Sequence, residues 1–141
     1  MIRGYVASSS PFVPVHVSFQ SISTRPRELQ FLLDTGAAVS VLHPADTTSI
    51  GIDPNADLAG VLETNVGVGG EATFYRLMSR LEFTQHDGTR TEYRFAMRIA
   101  KPTDANATMP SILGMDFIQH FRLTVSVRED WVVLESLFDE A

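Results

Sequence analysis

Apolar and polar residues alternate through much of this chain. From Val15 to Ser21, the residues Val15, Val17 and Phe19 fall on one side and His16, Ser18 and Gln20 on the other. That period of two predicts a half-buried strand. Thr91 to Ile99 repeats it, with Tyr93, Phe95, Met97 and Ile99 facing one way and Glu92, Arg94 and Arg98 the other. Glu28 to Asp34 ends in the unbroken apolar run Phe31-Leu32-Leu33, which predicts a strand covered on both faces. Val39 to Leu42 reads as a short β-branched strand. Val61 to Val66 and Thr73 to Phe83 read as two strands joined through Gly67-Val68-Gly69-Gly70, whose glycines suit a hairpin tip. Leu123 to Val127 and Trp131 to Leu134 predict a closing hairpin. Asp87-Gly88 predicts a type I′ turn. Ser8 to Pro14 is expected to be irregular, and Pro102 to Pro110 to be a loop that includes the polar triplet Asn106-Ala107-Thr108. Helical spacing appears over Met115 to Phe121 and in a short turn opening at Pro44.

Many short strands with one or two brief helices predict an all-β barrel or sandwich. No repeat, low-complexity tract or linker divides the 141 residues, so one domain spanning 1–141 is expected. A hydrophobic fraction of 44% is enough for a core of its own. The net charge of −6, with no basic stripe, argues against a nucleic-acid partner. No window approaches the roughly 18 apolar residues that span a bilayer, so no membrane partner is expected. The start, Met1-Ile2-Arg3-Gly4-Tyr5, lacks the apolar run of a secretory signal, and the expected compartment is the cytoplasm. With no cysteine, disulfide and thiolate chemistry are excluded.

The candidate chemistry lies in Asp34-Thr35-Gly36. Asp-Thr-Gly alone is an ordinary turn sequence. Here the preceding Phe31-Leu32-Leu33 carries the acid to the end of a buried strand, where a carboxylate costs several kcal/mol unless it is paired or shared. A second apolar-apolar-glycine element, Ile112-Leu113-Gly114, follows 80 residues later.

With these elements the chain resembles the retropepsin-like aspartic proteases, the family of the retroviral and retrotransposon proteases and their cellular relatives. The resemblance implies a closed β-barrel of the single-lobed acid protease type, with one or two short helices and a flap hairpin. It implies that Asp34 is the catalytic aspartate, that Thr35 braces two such loops across a dimer axis, and that Gly36 allows close backbone approach. Ala37 matches the alanine of the viral members, while Ala38 departs from the aspartate often found there. Gly67, Val68, Gly69 and Gly70 match the flap, and with Ala37 they are the expected substrate-contacting positions. Val68, Phe74 and Tyr75 either touch substrate or pack within their strands. Ile112, Leu113 and Gly114 match the element that threads under the catalytic loop. Asp116 matches a buried polar residue that hydrogen-bonds this loop, although its position equally suits a cap for the following helix.

Only one Asp-Thr-Gly is present, so the resemblance implies a homodimer acting on a peptide or protein substrate, with no cofactor or metal. The contrasting expectation is a peptide-binding or dimerisation module of the same fold that does not cleave. Other chemistries lack their motifs. His16, His43, His86 and His120 fit no ligand spacing. No Gly-x-Ser-x-Gly elbow is present, and the glycine run lacks the Lys-Ser/Thr of a phosphate loop. Trp131 is expected in the core or at a dimer contact.

Overall fold

The computed structural model describes residues 1–58, 62–67 and 70–137. Eleven strands and three helices are formed by the described residues. In chain order these are β1 (Ile2–Arg3), β2 (Tyr5–Ala7), β3 (Ser10–Phe19), β4 (Glu28–Leu33) and β5 (Val41–Leu42), then α1 (Pro44–Ser49) and α2 (Pro54–Asp57). There follow β6 (Leu62–Gly67), β7 (Gly70–Thr84), β8 (Arg90–Ala100), β9 (Ser111–Leu113), α3 (Met115–Ile118), β10 (Phe121–Ser126) and β11 (Trp131–Ser136).

The large sheet runs β2-β3-β4-β9-β5-β8-β7-β6, and β7 pairs back onto β3 from His16↔Glu82 to Phe19↔Ser79. Six strands, β3-β4-β9-β5-β8-β7, therefore close into a barrel, and β2 and β6 are left at the ends of the sheet. The alternation seen in the sequence is the reason. Val13, Val15 and Val17 point inward from β3, Leu81 and Phe83 from β7, and Met97 and Ile99 from β8, all buried. Phe31 and Leu33 bring β4 into the same core. A separate sheet, β1-β11-β10, is built on the closing hairpin, with Leu123↔Leu134 and Val125↔Val132 in register. Phe117 of α3 stacks on Phe83 with centroids 5.5 Å apart, and Tyr93 meets both Phe117 and Phe121 edge-on. That aromatic cluster ties the short helix and β10 to the barrel.

Four local expectations are corrected. The opening is a hairpin rather than an irregular stretch: Ala7 pairs with Ser10 around Ser8 and Ser9, whose φ values are +50° and +63°. Positive φ at both central residues is what a type I′ turn requires. Pro14 is accommodated in β3 because it lies between the residues that pair with β2 and those that pair with β7, where a missing N–H is tolerated. At Asp87-Gly88, by contrast, only Gly88 has positive φ, and the Gln85 amide donates to the Thr89 carbonyl across a three-residue loop. That is a type I turn closed by a left-handed glycine, not type I′. The helix expected over Met115 to Phe121 is shorter than its spacing suggested: α3 stops at Ile118 because Phe121 opens β10. Pro54 starts α2 at its first position, where the absent N–H has no partner to lose; the Asp53 carboxylate caps it by accepting from the Asn55 amide at 3.0 Å. Finally, Trp131 is not in the core: it is partly exposed on β11, with the Arg3 guanidinium 4.6 Å above its ring.

Candidate active site

Asp34 follows directly on β4. Its backbone N–H donates to the Leu113 carbonyl at 3.0 Å, extending the parallel pairing of Phe31, Leu32 and Leu33 with Ser111, Ile112 and Leu113. The loop then turns: the Ala37 amide donates to the Asp34 carbonyl at 3.2 Å, and the Gly36 amide to the Asp34 side-chain oxygen Oδ1 at 2.9 Å. The carboxylate is thus held against its own loop. A Cβ on residue 36 would lie 3.2 Å from that oxygen, so glycine gives the carboxylate its room without any need for positive φ. Asp34 and Ala37 are half-buried, while Thr35, Gly36 and Ala38 are exposed. Phe31 and Leu33 are buried but Leu32 only half-buried, so the strand is dry on one face rather than both, and it delivers its acid to a loop that faces outward.

A second layer lies beneath. Ser40 is fully buried; its N–H and hydroxyl both donate to the Asp116 carboxylate, at 3.0 Å and 2.7 Å. The same hydroxyl accepts from the Gly114 amide at 2.9 Å. The Met115 and Asp116 amides donate to the carbonyls of Ala37 and Ala38 at 2.8 Å and 3.1 Å. A Cβ on Gly114 would lie 2.7 Å from the carbonyl oxygens of both Ala37 and Val39. The Ile112-Leu113-Gly114 segment and the start of α3 are therefore bonded to the Asp34 loop at several points. Asp116 does not cap α3, whose N-cap is Gly114.

Two residues of this layer were not singled out from sequence, Ser40 and Ser111. The hydroxyl of Ser111 accepts from the His43 amide at 2.9 Å and donates to the Asp46 carboxylate at 2.5 Å. Their one signal is a hydroxyl set inside an apolar run, Val39-Ser40-Val41 and Pro110-Ser111-Ile112. A buried hydroxyl needs a partner, but the partner is remote in the chain.

Gly67 and Gly70 pair at the end of the β6–β7 hairpin, while Val68 and Gly69 lie outside the described residues. Tyr75 is buried in the core, which assigns it to packing. Among the described residues no cluster of three or more His, Asp or Glu side chains is arranged to hold a metal ion. No helix among them is long and apolar enough to cross a membrane.

No family model and no curated protein matches the sequence. Solved structures do match. The retropepsin-like aspartic protease from Rickettsia conorii superposes with a TM-score of 0.61 over 95% of this chain and 88% of its own, at 16% identity. The fold is retropepsin-like. Two further structures align less closely. One is the EIAV protease complexed with the inhibitor HBY-793, with a TM-score of 0.43, 22% identity and coverage of 82% of this chain and 90% of that one. The other is the retroviral protease-like domain of Ddi1 from Leishmania major, with a TM-score of 0.47, 15% identity and coverage of 95% and 100%. In the retropepsin-like frame the Asp34 loop and Ile112-Leu113-Gly114 occupy one connected unit at the end of two parallel strands.

Proposed function

We propose that the chain is an aspartic endopeptidase in which residues 1–141 form one subunit of a homodimer. The observation that carries this reading is the outward-facing Asp34 loop: one carboxylate, fixed by the Gly36 amide at 2.9 Å and braced from below, with Thr35 and Gly36 exposed beside it. A chain with one such acid supplies half of a two-carboxylate site, and a two-fold axis through the loop supplies the other half.

Two carboxylates within about 3 Å of each other do not both ionise, so the pair holds one proton between them. The ionised member takes a proton from a bound water. The water oxygen attacks the scissile carbonyl carbon, and the protonated member donates to the carbonyl oxygen. The resulting diol collapses as the amide nitrogen gains a proton and its bond to carbon breaks. Thr35 braces the two loops, and Ile112, Leu113, Gly114 and Asp116 hold each loop in place. The β6–β7 hairpin, whose last described pair is Gly67 and Gly70, covers an extended peptide bound by main-chain hydrogen bonds.

The test is cleavage of a peptide library by the wild type beside Asp34→Asn, with the mass of each measured by light scattering. Pepstatin-sensitive cleavage by a dimer, lost in Asp34→Asn, is expected. Cleavage that survives the substitution, or that comes from a monomer, overturns the proposal. A dimer that binds peptides without cutting them identifies a binding module instead.

A further inference from the structure

A cavity of about 380 Å³ opens on the flank of the barrel, lined by His43, Thr73, Phe74, Ala100, Lys101, Thr103 and Asn106. None of these residues belongs to the Asp34 loop. The floor is apolar, where Phe74 pairs with Ala100 across β7 and β8. The wall is a loop braced by one side chain: the Asn106 amide donates to the Lys101 carbonyl at 3.0 Å, and its oxygen accepts from the Thr103 amide at 2.9 Å. Asn106 is thereby committed at both ends. The Thr103 hydroxyl oxygen accepts from the Asn106 backbone N–H at 3.3 Å, which leaves its hydrogen for another partner.

His43 is the buried member of the set, 6% exposed. Its Nδ1 is 2.6 Å from the Pro110 carbonyl, an acceptor only, so Nδ1 carries the hydrogen. Among the described residues no hydrogen bond engages its Nε2. The polar groups around the cavity are therefore an ammonium, two threonine hydroxyls and an imidazole nitrogen. Among the described residues no carboxylate lines the cavity; Asp104 is exposed in the same loop, Glu63 pairs with Phe74 from β6, and Asp46, on α1, takes its hydrogen bond from Ser111.

We propose that this cavity binds a carboxyl group. Lys101 supplies the charge and Thr73 and Thr103 supply hydroxyl donors. His43 Nε2 serves a carboxyl in either state, accepting from the acid or, when protonated, donating to the carboxylate. Phe74 and Ala100 cover the carbon stem that carries it. The ligand is either an acidic side chain of a bound polypeptide or a small free acid.

The experiment is an amide NMR titration of the full chain with acetate at constant ionic strength, with chloride as control. Saturable shifts of the Thr73, Lys101 and Thr103 amides are expected, with millimolar affinity that drops about tenfold in Lys101→Met and in His43→Asn. Asparagine keeps a donor for the Pro110 carbonyl and removes Nε2. Thr73→Val, which deletes the hydroxyl that the loop does not use, is expected to weaken binding without disturbing the fold. A capped glutamate peptide that outbinds its glutamine twin assigns the site to a polypeptide side chain. Acetate binding with equal peptide affinities assigns it to a free acid. Shifts that do not saturate, that chloride reproduces, or that survive both Lys101→Met and His43→Asn overturn the proposal. Acetate binding requires no cleavage, so the titration succeeds or fails separately from the chemistry proposed at Asp34.

Discussion

Gly114 sits where a β-carbon would be 2.7 Å from two carbonyl oxygens, those of Ala37 and Val39. Both belong to backbone that is itself bonded to α3, so neither can yield without moving the Asp34 loop. Gly114→Ala is expected to cost about 2–3 kcal/mol, read as a lower denaturant midpoint, and to impair cleavage by displacing the loop. Asp116 acts at the same junction through Ser40. Removing its carboxylate strands a buried N–H and a buried hydroxyl, each otherwise bonded. Asp116→Ala is expected to destabilise by about 2–4 kcal/mol, and Asp116→Asn, which keeps an acceptor for the Ser40 amide, by clearly less. Equal losses in the two variants would show that Ser40 does not depend on that oxygen.

Among the elements, the β7–β8 hairpin carries its own acid-sensitive turn. The Thr89 hydroxyl and then the Thr89 amide, both donating to Asp87, hold its carboxyl below the usual carboxylate range. A depressed folded-state value means that the ionised form is the one the turn favours. Its contribution is present above the ordinary carboxylate value and is lost as pH falls through the lower folded value. The protection of the Thr89 amide against exchange, taken relative to the intrinsic rate at each pH, is therefore expected to fall on acidification below the ordinary carboxylate range, and this acid response should vanish in Asp87→Asn. Protection that is unchanged across that range would count against the assignment. The β6–β7 hairpin stands beside it in the sheet, with its strands paired from Leu62↔Tyr75 to Gly67↔Gly70. Its long arm β7 also pairs with β8 and closes the barrel onto β3, so the proposed flap springs from a strand held by three neighbours.

For the whole molecule, the proposed chemistry needs two chains. A tandem fusion of two wild-type copies is expected to cleave, and a fusion carrying Asp34→Asn in one copy to lose at least about a thousandfold, since neither carboxylate alone both activates water and protonates the carbonyl. Substantial activity in the half-substituted fusion would remove the shared-site mechanism. Ala37 brings no hydroxyl to the acids, where serine would add a donor that favours the ionised form. The pH–rate profile is accordingly expected to peak at higher pH than that of Ala37→Ser, and a serine variant with an unchanged or higher optimum would argue against that account.

The strand pattern was legible in the sequence because a barrel wall has one wet face and one dry face. Val15-Val17-Phe19 and Tyr93 to Ile99 carry that alternation openly, and Phe31-Leu32-Leu33 marked a strand in the middle of the sheet, though Leu32 proves only half-buried. Asp34-Thr35-Gly36 and Ile112-Leu113-Gly114 were visible too, since a loop held this closely admits few residue types. The turn at Ser8-Ser9 was not, because serine reaches left-handed backbone only when the pairing of its flanking strands imposes it. Nor was the bonding of Ser40 to Asp116, or the cavity closed by His43 and Lys101. Those contacts join residues dozens of positions apart, and a side chain's hydrogen-bond partner is chosen by the packing of the barrel, not by its neighbours along the chain.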